Sequence, residues 1–145
     1  MSGDFNILLV EDNDIDAAIL KRGLKNLGAE GHLVRAQDGL EALELLREDL
    51  KDRILPRPYV ILLDINMPRM DGLEFLTELR ADPSLRGARV VVFTTSDSRK
   101  DVERAYQECA NGYIVKPDSA SELQAILSTL SSFWKLCEHP EDHPA

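Results

Sequence analysis

Cysteine is scarce. Only Cys109 and Cys137 occur in 145 residues, too far apart for the paired spacings of zinc or dithiol chemistry, so both are expected to be reduced packing residues. His32, His139 and His143 are the only histidines and are expected on the surface, which leaves no nitrogen-rich metal centre. No apolar run approaches the length that spans a bilayer, and the opening "MSGDFN" carries an acid where a secretory signal would be basic. A cytoplasmic protein without membrane contact is expected. Positive charge is also in short supply: 17 basic residues face 26 acidic ones, for a net charge of -9. The bases Lys21, Arg22, Lys25, Arg35 and Arg47 are interleaved with acids, so a nucleic-acid backbone would be repelled.

What is present is a core. Hydrophobic residues make up 43% of a chain long enough for one domain and too short for two ordinary ones. Phe5 to Val10, "HLVRA", Tyr59 to Asp64, Val90 to Thr94 and "YIVKP" read as five short strands. Between them the apolar positions recur at helical spacing: Ala17, Leu20, Leu24 and Leu27; Leu40, Leu43 and Leu46; Leu73, Leu76 and Leu79; Val102, Ala105, Tyr106 and Cys109. Gly28 and Gly112 stand where helices should close, and "SASE" from Ser119 is a capping-box start for a last helix. Nearly continuous apolar strands alternating with helices predict an α/β fold, a parallel sheet covered on both faces by five helices. "DLKDRILPRP", Asp49 to Pro58, is expected as a long loop, and the proline-containing acidic tail "EHPEDHPA" as a mobile one.

Burial penalises charge, yet the apolar strands end on polar groups. The first ends in Glu11 and Asp12, the third in Asp64, the fourth in Thr94, and the fifth in Lys116 followed by Pro117. In an open parallel sheet these carboxyl ends share one edge, where ligands bind. Three converging carboxylates repel, at roughly 4 kcal/mol per ionised pair for a separation of about 4 Å and an effective dielectric near 20, more than one ammonium offsets. A divalent cation is the remedy, and oxygen donors suit Mg2+ better than zinc. An aspartate, a hydroxyl, an ammonium and such an ion can together accept a phosphoryl group as an acyl phosphate.

"LLVEDN", "LLDINMPRMDG", "VVVFTTS" and "YIVKP", in that order over roughly residues 4–134, resemble the receiver domain of bacterial two-component response regulators. The intervals of thirty residues from Asp64 to Thr94 and twenty-two from Thr94 to Lys116 are those typical of that family. The resemblance implies a doubly wound, flavodoxin-like five-stranded sheet in the order 2-1-3-4-5, with a receiver domain over residues 4–136 and a short acidic tail over 137–145. It implies Asp64 as phosphoacceptor, with Asp12, Asp64 and the main-chain carbonyl of Asn66 as magnesium ligands and Glu11 acting mainly through water. Thr94 and Lys116 would contact the phosphoryl group, and Pro117 would follow a cis bond. Tyr113 would be the aromatic switch, packed against the last two helices, and Asn66 and Ser96 would lie near the path of attacking water and tune phosphate lifetime.

The implied partners are a sensor histidine kinase and a downstream protein target or phosphotransfer protein. "ILLDINMP", the long preceding loop and the absence of a following output segment look most like the stand-alone regulators paired with bacterial phytochromes, with a chemotaxis or phosphorelay receiver as the alternative. No independent substrate turnover is expected. An aspartate-nucleophile phosphatase would need a second aspartate where Asn66 stands, and a flavin carrier would need a hydroxyl-rich phosphate loop where "EDND" stands. The last helix carries Leu123, Ile126, Leu127, Leu130, Phe133, Trp134 and Cys137, an apolar surface wider than packing on one sheet face requires. A homodimer through the fourth helix, fifth strand and fifth helix is expected.

Overall fold

The computed structural model describes residues 5–28 and 31–143; the expected domain start at residue 4 and the last two tail residues lie outside that set. Five strands, β1 (Asn6–Val10), β2 (Leu33–Ala36), β3 (Tyr59–Leu63), β4 (Val90–Thr94) and β5 (Gly112–Val115), alternate with α1 (Asp14–Asn26), α2 (Gly39–Asp52), α3 (Gly72–Ala81), α4 (Arg99–Gln107) and α5 (Ala120–Leu136). All strand pairs are parallel, in the order β2-β1-β3-β4-β5, as expected for the α/β class.

The period of two along each strand divides the core. Leu8 and Val10 of β1 join Leu43, Leu46, Phe75, Leu76 and Leu79 in the layer under α2, α3 and α4, whereas Ile7 and Leu9 join Leu20, Leu123, Leu127 and Trp134 under α1 and α5. Helix starts follow side-chain capping, with Asn13, Asp38, Asp71, Ser98 and Ser119 each accepting from the backbone N–H three residues on. Among the described residues only Asp71 with Glu74 completes a reciprocal capping box; Ser119 forms one half of it. Asp38 also pairs with Arg69 of the β3–α3 loop, whose Nε donates at 2.6 Å. Burial opposes that carboxylate's charge, but the Glu41 N–H and the Arg69 guanidinium outweigh it and hold Asp38 below the usual range.

Four expectations change. Leu40 is exposed, because α2 buries Ala42, Leu43 and Leu46 instead. α4 buries only Ala105, leaving Tyr106 half in water, and it closes at Cys109 with φ 62, while Gly112 opens β5. The expected long loop is shortened, since α2 runs to Asp52 and the buried Asp49 carboxylate accepts from Leu55 N and pairs with Arg57. The tail is not free: a 3₁₀ turn (Pro140–Asp142) follows α5, and His139 is buried, contrary to its expected surface position. Acidic composition signals solvation, but the broad indole of Trp134 attracts cover. The His139 ring lies 4.3 Å from the Trp134 ring, its Nε2 is 3.0 Å from the Trp134 carbonyl, and Arg89, which also pairs with Glu141, sits 5.5 Å over the indole.

Candidate functional site

Val10 is aligned with Leu63, so Glu11 and Asp64 leave adjacent central strands at the same level. Asp64 N donates to Val10 O at 3.0 Å, and Glu11 N to Ala36 O at 3.0 Å. Thr94, the last residue of β4, is aligned with Val115, which puts Lys116 next beyond it, with its N–H donating to Thr94 O at 2.7 Å. Four segments distant in sequence thus meet at one sheet edge. Glu11, Asp64 and Thr94 are buried there and Asp12 is exposed.

Glu11, Asp12 and Asp64 each offer an oxygen within 4.8 Å of the others. Lys116 lies among them: its Nζ is 2.6 Å from Glu11 Oε1, 2.9 Å from Asp16 Oδ2 and 3.4 Å from Asp64 Oδ2. Burial pushes the Glu11 carboxyl up to about 7; Lys116 opposes the rise and Asp64 adds to it. Burial would lower Lys116, but its hydrogen bonds to Glu11 and Asp16 and the charge on Asp64 reverse this and hold the ammonium above its ordinary range. The acids thus keep the lysine charged, while the lysine offsets only part of the burial penalty on Glu11.

The donor set fits a hard divalent ion. Asp64 Oδ1 is buried with no hydrogen-bond partner, a costly state for a carboxylate oxygen unless a cation is near. Asp12 offers an oxygen from the exposed side, whereas both Glu11 oxygens are engaged, one by Lys116 and the other by Asn13 N at 3.3 Å, which suits Glu11 to contact through water. Asn66 is exposed after Asp64, and its carbonyl accepts from no backbone N–H among the described residues, while the Ile65 carbonyl is taken by Gly72 N at 2.9 Å. All-oxygen donors of this kind match Mg2+ or Mn2+.

The Lys116–Pro117 bond is not cis; the cis bond among the described residues is Arg57–Pro58. Proline lowers the cost of the cis form without imposing it, and Lys116 reaches the acids through a trans bond. The Ser96 hydroxyl donates to Asp101 Oδ2 at 2.6 Å, so a water would compete with α4 for it. Tyr113 is half-buried in the layer under α2, α3 and α4, and not against α5, with its hydroxyl donating to Ser96 O at 2.9 Å. Burial, then the acids Asp101, Asp97 and Asp64, raise its phenol above the usual range, against the Ser96 contact.

Two contributors escaped the sequence reading. Arg35 on β2 donates from Nε to Glu11 O at 3.0 Å and pairs with Asp14 at 2.8 Å, fixing the acid-bearing loop. Asp16, on the first turn of α1, reaches Lys116. A helix-start acid is ordinary on macrodipole grounds, and nothing in its spacing signals a lysine a hundred residues on.

Residues 7–128 match the family described as the response regulator receiver domain. The chain belongs to that family. The receiver is 37% identical to Response regulator Rcp1 of Synechocystis sp., over 88% of this chain and 87% of that one, and 39% identical to the Probable methanogenesis regulatory protein FilR2 of Methanothrix harundinacea, over 90% and 83%. Among solved structures it superposes on the phosphorylated cyanobacterial phytochrome response regulator RcpA with a TM-score of 0.82 at 35% identity, covering 94% of this chain and 97% of that one. The Mn2+-bound form of Rcp1 gives 0.79 at 35% identity, covering 93% and 97%. The superposition on the phytochrome response regulator extends over nearly the whole chain. No helix among the described residues is long and apolar enough to cross a membrane.

Proposed function

We propose that this receiver accepts a phosphoryl group on Asp64 from a phosphohistidine of a sensor histidine kinase, with Mg2+ held by Asp12, Asp64 and the Asn66 carbonyl. The observation that carries this reading is the buried, unpartnered Oδ1 of Asp64 beside the Lys116 ammonium. An Asp64 oxygen forms the bond to phosphorus while the phosphorus–nitrogen bond to the imidazole breaks, and the electron pair leaves with the ring nitrogen. Lys116 and the Thr94 hydroxyl hold phosphoryl oxygens, and burial of Glu11, Asp64 and Thr94 excludes bulk water. Mg2+, when bound, neutralises charge on the phosphoryl oxygens. The chain assists this transfer and the later hydrolysis without turning over an independent substrate.

The signal leaves through the β4–α4 loop. A phosphoryl group on Asp64 draws the Thr94 hydroxyl, which the Ser96 N–H approaches at 3.4 Å. Ser96 in turn is tied to Tyr113 and to Asp101 of α4, so a shift at Thr94 biases a two-state equilibrium at the face made by α4, β5 and α5. Tyr106, Val115 and Phe133 are exposed in these elements, and that surface meets a protein target or phosphotransfer protein in the cytoplasm. The Rcp1 and RcpA likeness favours a phytochrome as the kinase; a receiver of a chemotaxis or phosphorelay system would share the same acceptor chemistry.

Incubation with acetyl phosphate and Mg2+ is expected to add the mass of one phosphoryl group to the intact protein. Asp64→Asn and treatment with a chelator should each abolish the gain; a modification that survives either would refute the assignment. Self-association through the α4, β5 and α5 face is also expected, read as a dimer by sedimentation at micromolar concentration. A monomer both before and after phosphorylation contradicts that face as a homodimer contact.

A further inference from the structure

The Lys116 amine is shared three ways, and the acceptor has the weakest share. An ammonium has three donors. The two short contacts, at 2.6 and 2.9 Å, go to Glu11 and Asp16, and Asp64 stands at 3.4 Å. Asp16 is not one of the three acids whose oxygens converge as a cation site. Its side chain is 40% exposed whereas that of Lys116 is 11% exposed, so an acid with ready access to water spends its charge on an enclosed lysine. Asp16 and Lys116 both line a cavity of about 310 Å³ between α1 and α5, and Asp64 does not. The bond to Asp16 therefore draws the amine toward the helix pair.

We propose that Asp16 is a positioning residue for phosphoryl acceptance: it restrains Lys116 beside α1, and this bond must loosen for the amine to serve a phosphoryl group arriving on Asp64. The inference rests on the acceptor reading above. With acetyl phosphate as donor, an Asp64 oxygen bonds to phosphorus as the bond from phosphorus to the acetate oxygen breaks, and acetate leaves with the electron pair. The phosphoryl oxygens keep their negative charge throughout and need the amine. A contact stronger in the resting state than in the transition state slows the step. After transfer, Lys116 serves the phosphoryl group before and during hydrolysis alike, so Asp16 has little leverage on decay. A helix-dipole role for Asp16 would instead move stability alone.

The full-length chain is incubated with acetyl phosphate and Mg2+ at one subsaturating donor concentration, and uptake and decay are followed by intact mass for wild type, Asp16→Asn and Asp16→Glu. Asp16→Asn should take up phosphate about three- to fivefold faster, the scale of one partly exposed ion pair, with decay unchanged. Asp16→Glu, whose longer arm still reaches the amine, should return to the wild-type rate. Equal or slower uptake in Asp16→Asn, or a gain shared by Asp16→Glu, overturns the proposal. If the wild type takes up no phosphate, the acceptor reading falls and the positioning role falls with it; wild-type uptake without a gain in Asp16→Asn sinks the positioning role alone.

Discussion

Lys116→Ala is expected to slow phosphoryl uptake by about a hundredfold or more, the usual cost of removing one charge-stabilising donor, and to tighten Mg2+ binding. The two effects share one cause. The ammonium is the only side-chain cation within hydrogen-bonding distance of the Glu11 and Asp64 carboxylates among the described residues. It stabilises a phosphoryl group electrostatically, and it competes with a dication for the same carboxylates. Its loss leaves Asp64 and Glu11 buried without that charge, at a cost of about 3 kcal/mol where a buried pair is broken, part of which Glu11 recovers by taking a proton. Added Mg2+ should restore stability through preferential binding to the folded state. Denaturant titrations with and without Mg2+, calorimetric Mg2+ binding and rates with acetyl phosphate check the set. A variant that keeps the wild-type uptake rate, or binds Mg2+ more weakly, would remove Lys116 from the mechanism.

Gly72→Ala should have the largest effect on fold and site together. A Cβ at residue 72 would stand 2.1 Å from the Asp64 carbonyl oxygen, 2.8 Å from Ile65 Cα and 2.9 Å from the Asp64 carbonyl carbon. Every one of these is backbone, so no side chain can turn aside. Gly72 N also donates to Ile65 O at 2.9 Å, which folds the Asn66–Asp71 loop back onto the end of β3. The substitution must push α3 off β3 or move Asp64 itself. We expect a loss of about 3 kcal/mol, as for severe overpacking, and near-complete loss of phosphoryl uptake even where the variant remains folded. Gly87→Ala is the control. Nothing lies within 4 Å of its Cβ position, so it should stay within about 0.5 kcal/mol of wild type and retain full uptake. Normal stability and uptake in Gly72→Ala would show that the loop yields at no cost.

These predictions differ in how far residue types alone could have led to them. The "DINMPRMDG" run marks a turn and a helix start by its proline and its Asp–Gly pair, but nothing in it tells that the glycine touches the carbonyl of the aspartate eight residues earlier. Helix faces were legible where period and packing agree, as for Leu73, Leu76 and Leu79, all buried. They were misread on α4, where a single sheet edge and a short helix leave Tyr106 and Cys109 outside. The tail was misread because an acidic, proline-bearing segment resembles solvated chain, and the indole that holds it down belongs to another turn.

By itself the sequence determined the strand–helix alternation, the α/β class and the arrival of Glu11, Asp12, Asp64, Thr94 and Lys116 at one edge, because strand ends in a parallel sheet must share that edge whatever the intervening lengths. Only the tertiary structure decided which oxygens are engaged and which stay open: Asp64 Oδ1 without a partner, Glu11 occupied on both sides, Ser96 turned to Asp101, and Lys116 divided among three carboxylates. The physical reason is range. Hydrophobic period is a local property written along the chain, whereas the share of one ammonium among Glu11, Asp16 and Asp64 depends on ångström-scale distances between segments about fifty to a hundred residues apart, which local propensities do not encode.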